Sequence, residues 1–150
     1  MFAPKRILVP TDFSSYSDNA LRHAIDMARQ YHATVYLLHV IDEHIQQCAA
    51  DYCLSDTVMT EIEHESMVTS NDKLHQQVTR VSGNSQDVEI IPYLKRGIPF
   101  DEILKEQEEK TIDLIVIASH GRTGIRRILI GSVAEKITRN ASCPVMLVRN

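Results

Sequence analysis

Residues Ala118 to Glu135 combine glycines, serines and basic side chains in an order that can bind an anion. They follow Asp113–Ile117, an apolar run typical of a buried parallel strand. They end in Ser132-x-x-Glu135, the pattern of a capping box at the start of a helix. The first amides of a helix have no internal acceptor, and the helix dipole favours negative charge there. The order strand, loop, helix therefore predicts a phosphate site.

Gly131 and a group of basic side chains support the same prediction. Without a Cβ, Gly131 lets a ligand approach the backbone. The alternative interpretation is a glycine-containing turn without a ligand. The sequence has neither Gly-Lys-[Ser/Thr] nor Gly-x-Gly-x-x-Gly, which excludes a P-loop and a dinucleotide fingerprint. The net charge of the chain is −4, but residues 122–139 contain five basic side chains: Arg122, Arg126, Arg127, Lys136 and Arg139.

The spacing of this stretch resembles the nucleotide-binding signature of the universal stress protein family. In that signature a glycine, two residues, a glycine, nine residues and a third glycine are followed by Ser or Thr. This chain has Gly121, Gly131 and Ser132 at the later positions, and Ala118 stands in place of the first glycine. Because a strand end normally has negative φ, which alanine tolerates, we expect the methyl of Ala118 to leave the crevice partly open.

The resemblance covers nearly the whole chain. Arg6–Asp12 near the start and Cys143–Val148 at the end also match the family, and the likeness is weakest from Asp42 to Asn84. It implies an α/β fold that binds ATP or a related adenine nucleotide, AMP or ADP, together with Mg²⁺. It also implies a homodimer with a regulatory role in the stress response.

Composition limits the classes of protein to which the chain can belong. Its 150 residues predict one domain, spanning 1–150, and 43% hydrophobic with 24% charged residues is ordinary for a globular protein. The net charge of −4 argues against a nucleic-acid-binding protein. No apolar run has the length of a signal-peptide core or a membrane span. The three cysteines do not have the spacing of a disulfide framework. We therefore expect a cytoplasmic protein that binds neither nucleic acid nor membrane.

Alternating apolar runs and helical periods predict a parallel α/β sheet. Ser15-x-x-Asp18 resembles a capping box with Asp in place of Glu. Lys95–Gly97 is predicted to turn the chain, and Pro99 to begin the third helix. The predicted strands are 6–10, 34–41, 87–94, 113–117 and 144–148, and the other helices cover 15–32, 56–81 and 133–140.

Two of the helices show which face they bury. The third helix is predicted to bury Phe100, Ile103 and Leu104. Residues 42–55 have no clear period and are predicted to form a loose connection. The long helix after them is predicted to bury Val58, Ile62, Leu74, Val78 and Val81.

Pro92 helps to order the strands. Proline cannot donate to a ladder, so the third strand should lie at an edge of the sheet. This requirement and the resemblance favour a doubly wound five-stranded sheet of order 3-2-1-4-5 with helices on both faces. The topology then reverses between the first and fourth strands, and ligands bind outside the carboxyl ends of the strands at such a point. The loops there are 10–14 and 118–132.

This crevice gathers the residues that we expect to bind the nucleotide. Asp12 follows the first strand, where it can bind a ribose hydroxyl, an adenine nitrogen or Mg²⁺; the alternative is a loop or cap residue. The resemblance implies a nucleotide contact for Asp12, and for Val40 a backbone contact with adenine. The remaining predicted site residues are Pro10, Thr11, Ile117, Ala118, Ser119, His120, Gly121, Arg122, Gly131, Ser132 and Val133.

Two rival functions remain. A family member that has lost nucleotide binding and acts only as an interaction protein is consistent with Ala118. A slow ATPase is the second rival, although His120 has no recognisable orienting partner or nucleophile, so no catalytic residue is assigned. The loop Pro10–Ser15 lacks glycine and the patterns that adenylyl-transferring enzymes use, which argues against transfer chemistry.

Two further features bear on partners. Val145–Val148 is apolar and should form the last strand at a bare edge, which predicts a two-fold dimer that pairs these strands; other protein partners stay unidentified. His44, Cys48 and Cys53 do not have zinc-site spacing, so polar residues and free thiols on a loose segment are the favoured interpretation.

Overall fold

The computed structural model describes residues 1–44, 54–83, 87–121 and 130–149. All strand pairs are parallel, and the sheet has the order β3-β2-β1-β4-β5, as predicted. The strands are β1 (Arg6–Pro10), β2 (Thr34–Asp42), β3 (Ile90–Gly97), β4 (Leu114–Ala118) and β5 (Val145–Val148). The helices with defined bounds are α1 (Ser15–Tyr31), α2 (Asp56–Ser82), α3 (Pro99–Glu109) and α4 (Ser132–Asn140). None of the described helices combines the length and apolarity needed to cross a bilayer.

Each face of the sheet carries its own apolar cluster. One face packs against α1 and α2, whose buried residues include Leu21, Ile25 and Leu74. The other packs against α3 and α4 through Ile103 and Ile137. Phe100 and Leu104 join this second cluster, which confirms the predicted face of α3.

Some predicted boundaries are wrong by several residues. Lys95–Gly97 does not turn the chain but continues β3, where it pairs with the last residues of β2. The apolar side chains of 87–94 suggested an earlier strand, yet the pairing runs from Val35↔Ile90 to Asp42↔Gly97. Pro92 lies on the edge strand, as its missing N–H requires.

The predicted capping box at the start of α1 is also wrong. Ser14, not Ser15, is the N-cap, and its side chain accepts a hydrogen bond from the amide of Ser17. Asp18 is buried and accepts hydrogen bonds from Gln77 and Arg80 of α2. The carboxylate therefore joins two helices instead of capping one.

The long helix α2 buries only its second half. Leu74 is fully buried, and Val78 and Val81 pack against the core. Val58 and Ile62, which we predicted to be buried, are 38% and 39% exposed. The helix continues beyond the part of the sheet that covers it, so its first turns extend an apolar stripe into solvent.

The strands β1 and β4 are joined at one end and part at the other. Asp113 accepts hydrogen bonds from the amides of Lys5 and Arg6, both 2.9 Å long, which fixes the start of β1 beside β4. The register then pairs Ile7 and Leu8 with β4, but no later residue of β1, whereas β2 pairs with all five.

Pro10 explains why the ladder stops. Backbone groups along a strand point alternately to the two neighbours. The carbonyl of Arg6 accepts from β4, and the amide of Thr11 donates to Leu38 of β2. The same alternation turns the nitrogen of Pro10 towards β4, where it has no hydrogen to donate. A crevice therefore opens between the carboxyl ends of β1 and β4.

A buried ion pair fastens α3 to β3. The side chain of Glu106 is 1% exposed, and its oxygens lie 2.8 Å from Nζ of Lys95 and 3.6 Å from Nζ of Lys110. Lys110 also sits over the rings of Tyr36 and Tyr93. Burial disfavours the charged carboxylate, but Lys95, the hydroxyl of Tyr93 and Lys110 together outweigh it, so the pKa of Glu106 is lowered.

We predict that Glu106→Gln lowers the free energy of unfolding by about 1–3 kcal/mol at pH 7, because it leaves two lysines without their buried partner. The lowered pKa means that this contribution is present above the ordinary value of 4.5 and is lost as the pH falls through the folded-state value. The difference between the two proteins in urea unfolding should therefore shrink in acid. Glu108→Gln, on the exposed side of α3, is the control. A gap that stays constant from neutral to acid pH would contradict the ion-pair interpretation.

Candidate functional site

A cavity of about 250 Å³ lies at the crevice between β1 and β4. Six elements and their loops surround it: the carboxyl ends of β1, β2 and β4, and the N-terminal turns of α1, α3 and α4. Its lining residues are Pro10, Thr11, Asp12, Ser17, Leu38, His39, Val40, Pro99, Ile103, Ile117, Ala118, His120, Gly121, Gly131, Ser132, Val133 and Ala134.

The structure brings together most residues that the sequence singled out. Eleven of the predicted residues line the cavity: Pro10, Thr11, Asp12, Val40, Ile117, Ala118, His120, Gly121, Gly131, Ser132 and Val133. Ser119 is 2% exposed and lies behind the lining. Arg122, Arg126 and Arg127 lie outside the described residues.

Thr11 lines the cavity, but it is buried and its hydroxyl is hydrogen-bonded in the interior. Its hydroxyl donates to Oε1 of Gln77 at 2.8 Å. Gln77 is fully buried and donates in turn to Asp18, which is paired with Arg80. This chain of polar groups attaches the loop after β1 to both α1 and α2. The hydroxyl of Thr11 is therefore structural.

Asp12 directs its two carboxylate oxygens to different places. Its Oδ1 accepts hydrogen bonds from the amide and the hydroxyl of Ser14, the N-cap of α1. Its Oδ2 faces Gly121, where an added Cβ would lie only 2.9 Å away. Asp12 thus holds the start of α1 and also forms the cavity wall, and a glycine at position 121 leaves room for it.

Phe13 and His39 form the wall beside Asp12. Phe13 has a φ of 65°, a left-handed conformation that is costly for a large side chain. Its amide donates to the hydroxyl of Thr11, and its ring lies 4.3 Å from the ring of His39. His39 Nδ1 lies 2.8 Å from the carbonyl oxygen of Thr11. Because a carbonyl only accepts, Nδ1 carries a proton.

The loop between β4 and α4 is closed at its base by one short hydrogen bond. The amide of Gly131 donates to the carbonyl of Ser119 at 2.7 Å, and the amide of Ser119 donates to Val148 of β5. These bonds hold the first turn of α4 at the carboxyl end of β4.

The predicted capping box of α4 is wrong in a way that changes the site. The N-cap is Gly131, with no side-chain cap, and Ser132 is the first helical residue. Glu135 pairs with Arg139 instead of reaching back to the cap. The exposed hydroxyl of Ser132 therefore has no capping role that competes with a ligand. Residues 132–134 line the cavity, and their amides precede the first internal bond, from Glu135 to Gly131.

Ala118 is 9% exposed and ends β4. It packs in the apolar cluster on the α1 side of the sheet, whereas Ile117 belongs to the cluster on the other side. Ala118 also lines the cavity, so our expectation that its methyl group leaves the crevice partly open stays a prediction.

Two of the five basic residues that the sequence singled out, Lys136 and Arg139, lie in the described part of the chain. Nζ of Lys136 lies 5.3 Å from the ring centre of Phe100, and Arg139 pairs with Glu135. Neither base lines the cavity. His120 does, and its Nδ1 lies 2.9 Å from Oγ of Ser119.

Sequence reasoning missed six lining residues: Ser17, Leu38, His39, Pro99, Ile103 and Ala134. Pro99 and Ile103 were recognised only as helix-start and core residues. The strand order places the start of α3 over the carboxyl end of β2, so the topology contained a signal for them. His39 lies at the cavity, whereas His44 is exposed and Cys48 and Cys53 lie outside the described residues.

The arrangement has two chemically different ends. Aliphatic side chains of Pro10, Leu38, Val40, Pro99 and Ile103 suit a flat apolar group. The N-terminus of α4 suits an anion. Among the described residues no group of three or more His, Cys, Asp or Glu side chains has the geometry to hold a metal ion.

The comparisons with known proteins agree on one family. Residues 4–149 match the model of the universal stress protein family. Universal stress protein MJ0577 of Methanocaldococcus jannaschii is 31% identical over 153 residues, covering 97% of this chain and 94% of its own. A solved structure of MJ0577 superposes with a TM-score of 0.82 at 29% identity, covering 100% of this chain and 98% of that one.

Two more distant structures contain a ligand. A universal stress protein in complex with cAMP has a TM-score of 0.71 at 20% identity, with 98% of each chain covered. A universal stress protein from Archaeoglobus fulgidus in complex with dAMP has a TM-score of 0.66 at 22% identity, again with 98% of each chain covered. At these identities the likeness shows the shared fold.

The two roles of Asp12 can be separated by mutation. We predict that Asp12→Ala lowers the free energy of unfolding by about 1 kcal/mol, because Ser14 loses the acceptor that holds the helix start. Asp12→Asn keeps an oxygen at that position and should unfold like the wild type. Thermal and urea unfolding of the three proteins would check this. Equal losses in both variants would show that the charge, not the acceptor, supports the loop.

Proposed function

Because this chain belongs to the universal stress protein family, we propose that it binds an adenine nucleotide, ATP or a related AMP or ADP, and acts as a regulatory protein of the stress response. Residues 1–150 would form a single nucleotide-binding domain that works in the cytoplasm. The observation that carries the proposal is the cavity itself, where an apolar cleft meets the amides of α4 that precede the first hydrogen bond inside the helix. The cAMP and dAMP complexes of structural neighbours support an adenine ligand.

The ligand would lie along the crevice with its base at the apolar end. An adenine ring fits between the end of β2 at Val40 and the first turn of α3 at Pro99 and Ile103. The phosphates would meet the amides of Ser132 and Val133, where backbone donors and the helix dipole both favour negative charge. Asp12 lies between these ends and would bind the ribose.

Mg²⁺ would accompany the phosphates. Magnesium is usually bound through one or two carboxylates, several waters and the phosphates of the substrate, so a complete protein cage is not required. Asp12 alone can supply such a carboxylate. Its Oδ2 faces the loop at Gly121, while Oδ1 is engaged by Ser14. When bound, the ion would neutralise phosphate charge beside Asp12.

The assignment is regulatory because the described residues that line the cavity do not form an assembled catalytic set. His120 is hydrogen-bonded through Nδ1 to Ser119, and Ser119 is almost completely buried. That serine is therefore poorly placed to attack a ligand. Slow hydrolysis by water remains the alternative enzymatic function, and an interaction protein without nucleotide is the non-enzymatic one. Ala118, which replaces the first glycine of the family signature, is the reason for considering an interaction protein without nucleotide. Its packing towards α1 favours nucleotide binding.

We also propose that β5 mediates a homodimer. It is the edge strand opposite β3, and among the described residues it pairs with β4 alone. The carbonyls of Pro144 and Val148 face β4, so alternation turns the backbone groups of Val145 and Leu147 outward. An apolar edge with unpaired amides is a template for a second copy, which a two-fold axis would align antiparallel.

Substitutions of Gly131 test the nucleotide site. A Cβ added at this position would contact its nearest protein atom at 3.5 Å, an ordinary separation, so Gly131→Ala should fold normally. We predict that Gly131→Val abolishes ATP binding in isothermal titration calorimetry, because its branched side chain occupies the space above the helix amides.

Asp12→Asn should weaken ATP binding by about 1–3 kcal/mol in the same measurement, as expected for a lost charge-assisted hydrogen bond.

Ala118→Gly distinguishes a nucleotide-binding protein from an interaction protein that has lost nucleotide binding. We expect the wild type to bind ATP and Ala118→Gly to change affinity by about 0.5–1.5 kcal/mol, the scale of one methyl group. Binding by Ala118→Gly but not by the wild type would favour the rival. Unchanged binding by Gly131→Val, with circular dichroism confirming its fold, would remove the α4 terminus from the site.

The proposed dimer can be tested by removing one outward amide. Leu147→Pro eliminates the N–H that a second β5 would use, whereas Leu147→Ala loses similar packing but keeps the N–H. We predict that sedimentation velocity finds a dimer for the wild type and Leu147→Ala, and mainly monomer for Leu147→Pro. A wild type that stays monomeric at high concentration would contradict the proposal.

A further inference from the structure

Gln77 is a buried polar residue of α2 that does not line the nucleotide cavity. It is fully buried, and Leu74 and Val78 beside it on the helix pack in the apolar cluster. A side-chain amide in such surroundings lowers stability unless its polar atoms find hydrogen-bond partners. The partners of Gln77 therefore show what this residue holds in place.

These partners fix the orientation of the Gln77 amide. Its Nε2 lies 2.8 Å from Oδ1 of Asp18, whose oxygens also accept from the guanidinium of Arg80. A carboxylate paired with an arginine only accepts hydrogen bonds, so the NH₂ group of the amide must face Asp18. The carbonyl oxygen Oε1 then faces Thr11, whose hydroxyl donates to it at 2.8 Å.

The single proton of the Thr11 hydroxyl is directed to the interior. Oγ of Ser17 lies 3.0 Å from Oγ1 of Thr11, but Ser17 donates its own proton to the carbonyl of Ser14 at 2.8 Å. Gln77 and Ser17 therefore both act as acceptors for the Thr11 hydroxyl. The lone pairs of that hydroxyl remain for the amide of Phe13, which donates to it at 3.0 Å.

The bond from the Phe13 amide closes the turn that directs Asp12. Phe13 has a φ of 65°, a conformation that persists for a large side chain only where the surroundings impose it. The turn places the ring of Phe13 against His39, while Asp12 lines the cavity with Oδ2 towards Gly121. The direction of the Asp12 carboxylate thus depends on the hydroxyl of Thr11.

We propose that Gln77 is a positioning residue for the nucleotide, which acts through the hydroxyl of Thr11 on the carboxylate of Asp12. The inference rests on the nucleotide binding proposed above. When Oε1 of Gln77 is removed, the hydroxyl is left with the more distant acceptor Ser17, and the turn after β1 is less restricted. Asp12 then spends part of the time in other directions, so a ligand that binds one of them loses affinity.

Gln107 of α3 provides a matched control, because it is another buried glutamine that holds a loop. It is 4% exposed, and its Oε1 accepts from the amide of Ser142 at 3.1 Å. Its Nε2 donates to the hydroxyl of the same serine. Ser142 precedes β5 at the amino end of the sheet, whereas the cavity lies at the carboxyl end. Loss of this amide removes buried hydrogen bonds without touching the turn at Asp12.

Calorimetric titration with Mg-ATP compares Gln77→Met with Gln107→Met. Methionine is close to glutamine in size and removes the amide in both variants, and circular dichroism confirms that each is folded. We expect Gln77→Met to lose affinity about fivefold, the scale of one hydrogen bond, and Gln107→Met to change within about twofold. Equal losses in both variants, or no loss in Gln77→Met, would overturn the proposal.

A double-mutant cycle tests whether Gln77 acts through Thr11. Thr11→Val removes the hydroxyl at nearly the same size, and we expect it to lose affinity to at least the same extent as Gln77→Met. The double variant should then lose no more than Thr11→Val alone, because both substitutions interrupt one path. Losses that multiply in the double variant would show that the two residues act independently, which contradicts the proposal.

The ligand-free protein gives a readout that does not depend on nucleotide. The three-bond coupling between the amide proton and Hα of Phe13 reports its φ. We expect the same coupling in the wild type and Gln107→Met, and a shifted coupling in Gln77→Met, where extended conformations become populated. An unchanged coupling in Gln77→Met would refute the positioning role alone. A wild type that fails to bind Mg-ATP would instead refute the proposed function.

Discussion

The parting of β1 and β4 is the constraint on which the site depends. The two strands are held together at Asp113 and separate after Leu8, because the nitrogen of Pro10 points towards β4 without a hydrogen. Since the strand order also reverses at this point, helices lie on opposite faces on either side of the gap. The gap cannot be closed by a helix, so it remains as a cavity at the carboxyl ends of the strands.

The walls of the cavity are held by bonds that do not involve a ligand. The chain from Thr11 through Gln77 to Asp18 anchors the loop after β1 to two helices. The bond from Gly131 to Ser119 anchors the start of α4 to β4. Donors at a helix N-terminus bind an anion best when they need no rearrangement, and these bonds keep them in place. The same loop carries Phe13, whose ring lies 4.3 Å from the ring of His39.

The sequence predicted features that depend on local pattern and failed where distant packing decides. The strand order and most of the cavity lining followed from apolar runs, from Pro92 and from the resemblance to the universal stress protein family that the spacing of Gly121 and Gly131 indicates. The two capping boxes were wrong because each acidic residue has a better partner: Asp18 binds Arg80 across two helices, and Glu135 binds Arg139. Ile62 was predicted to be buried because periodicity shows which face of a helix is apolar, but not how far the sheet extends beneath it. His39 was missed as a lining residue because its position depends on the register of β2.

Amide chemical shifts of the isotope-labelled protein during titration with Mg-ATP test the proposed site most directly. The account predicts that the changes concentrate at Asp12, Val40, Gly121, Gly131 and Ser132, and that the exposed first turns of α2 around Val58 stay unchanged. Such a pattern would place the nucleotide between the parted strands and the start of α4. An absence of shifts at millimolar Mg-ATP, or shifts confined to residues outside the cavity, would contradict it.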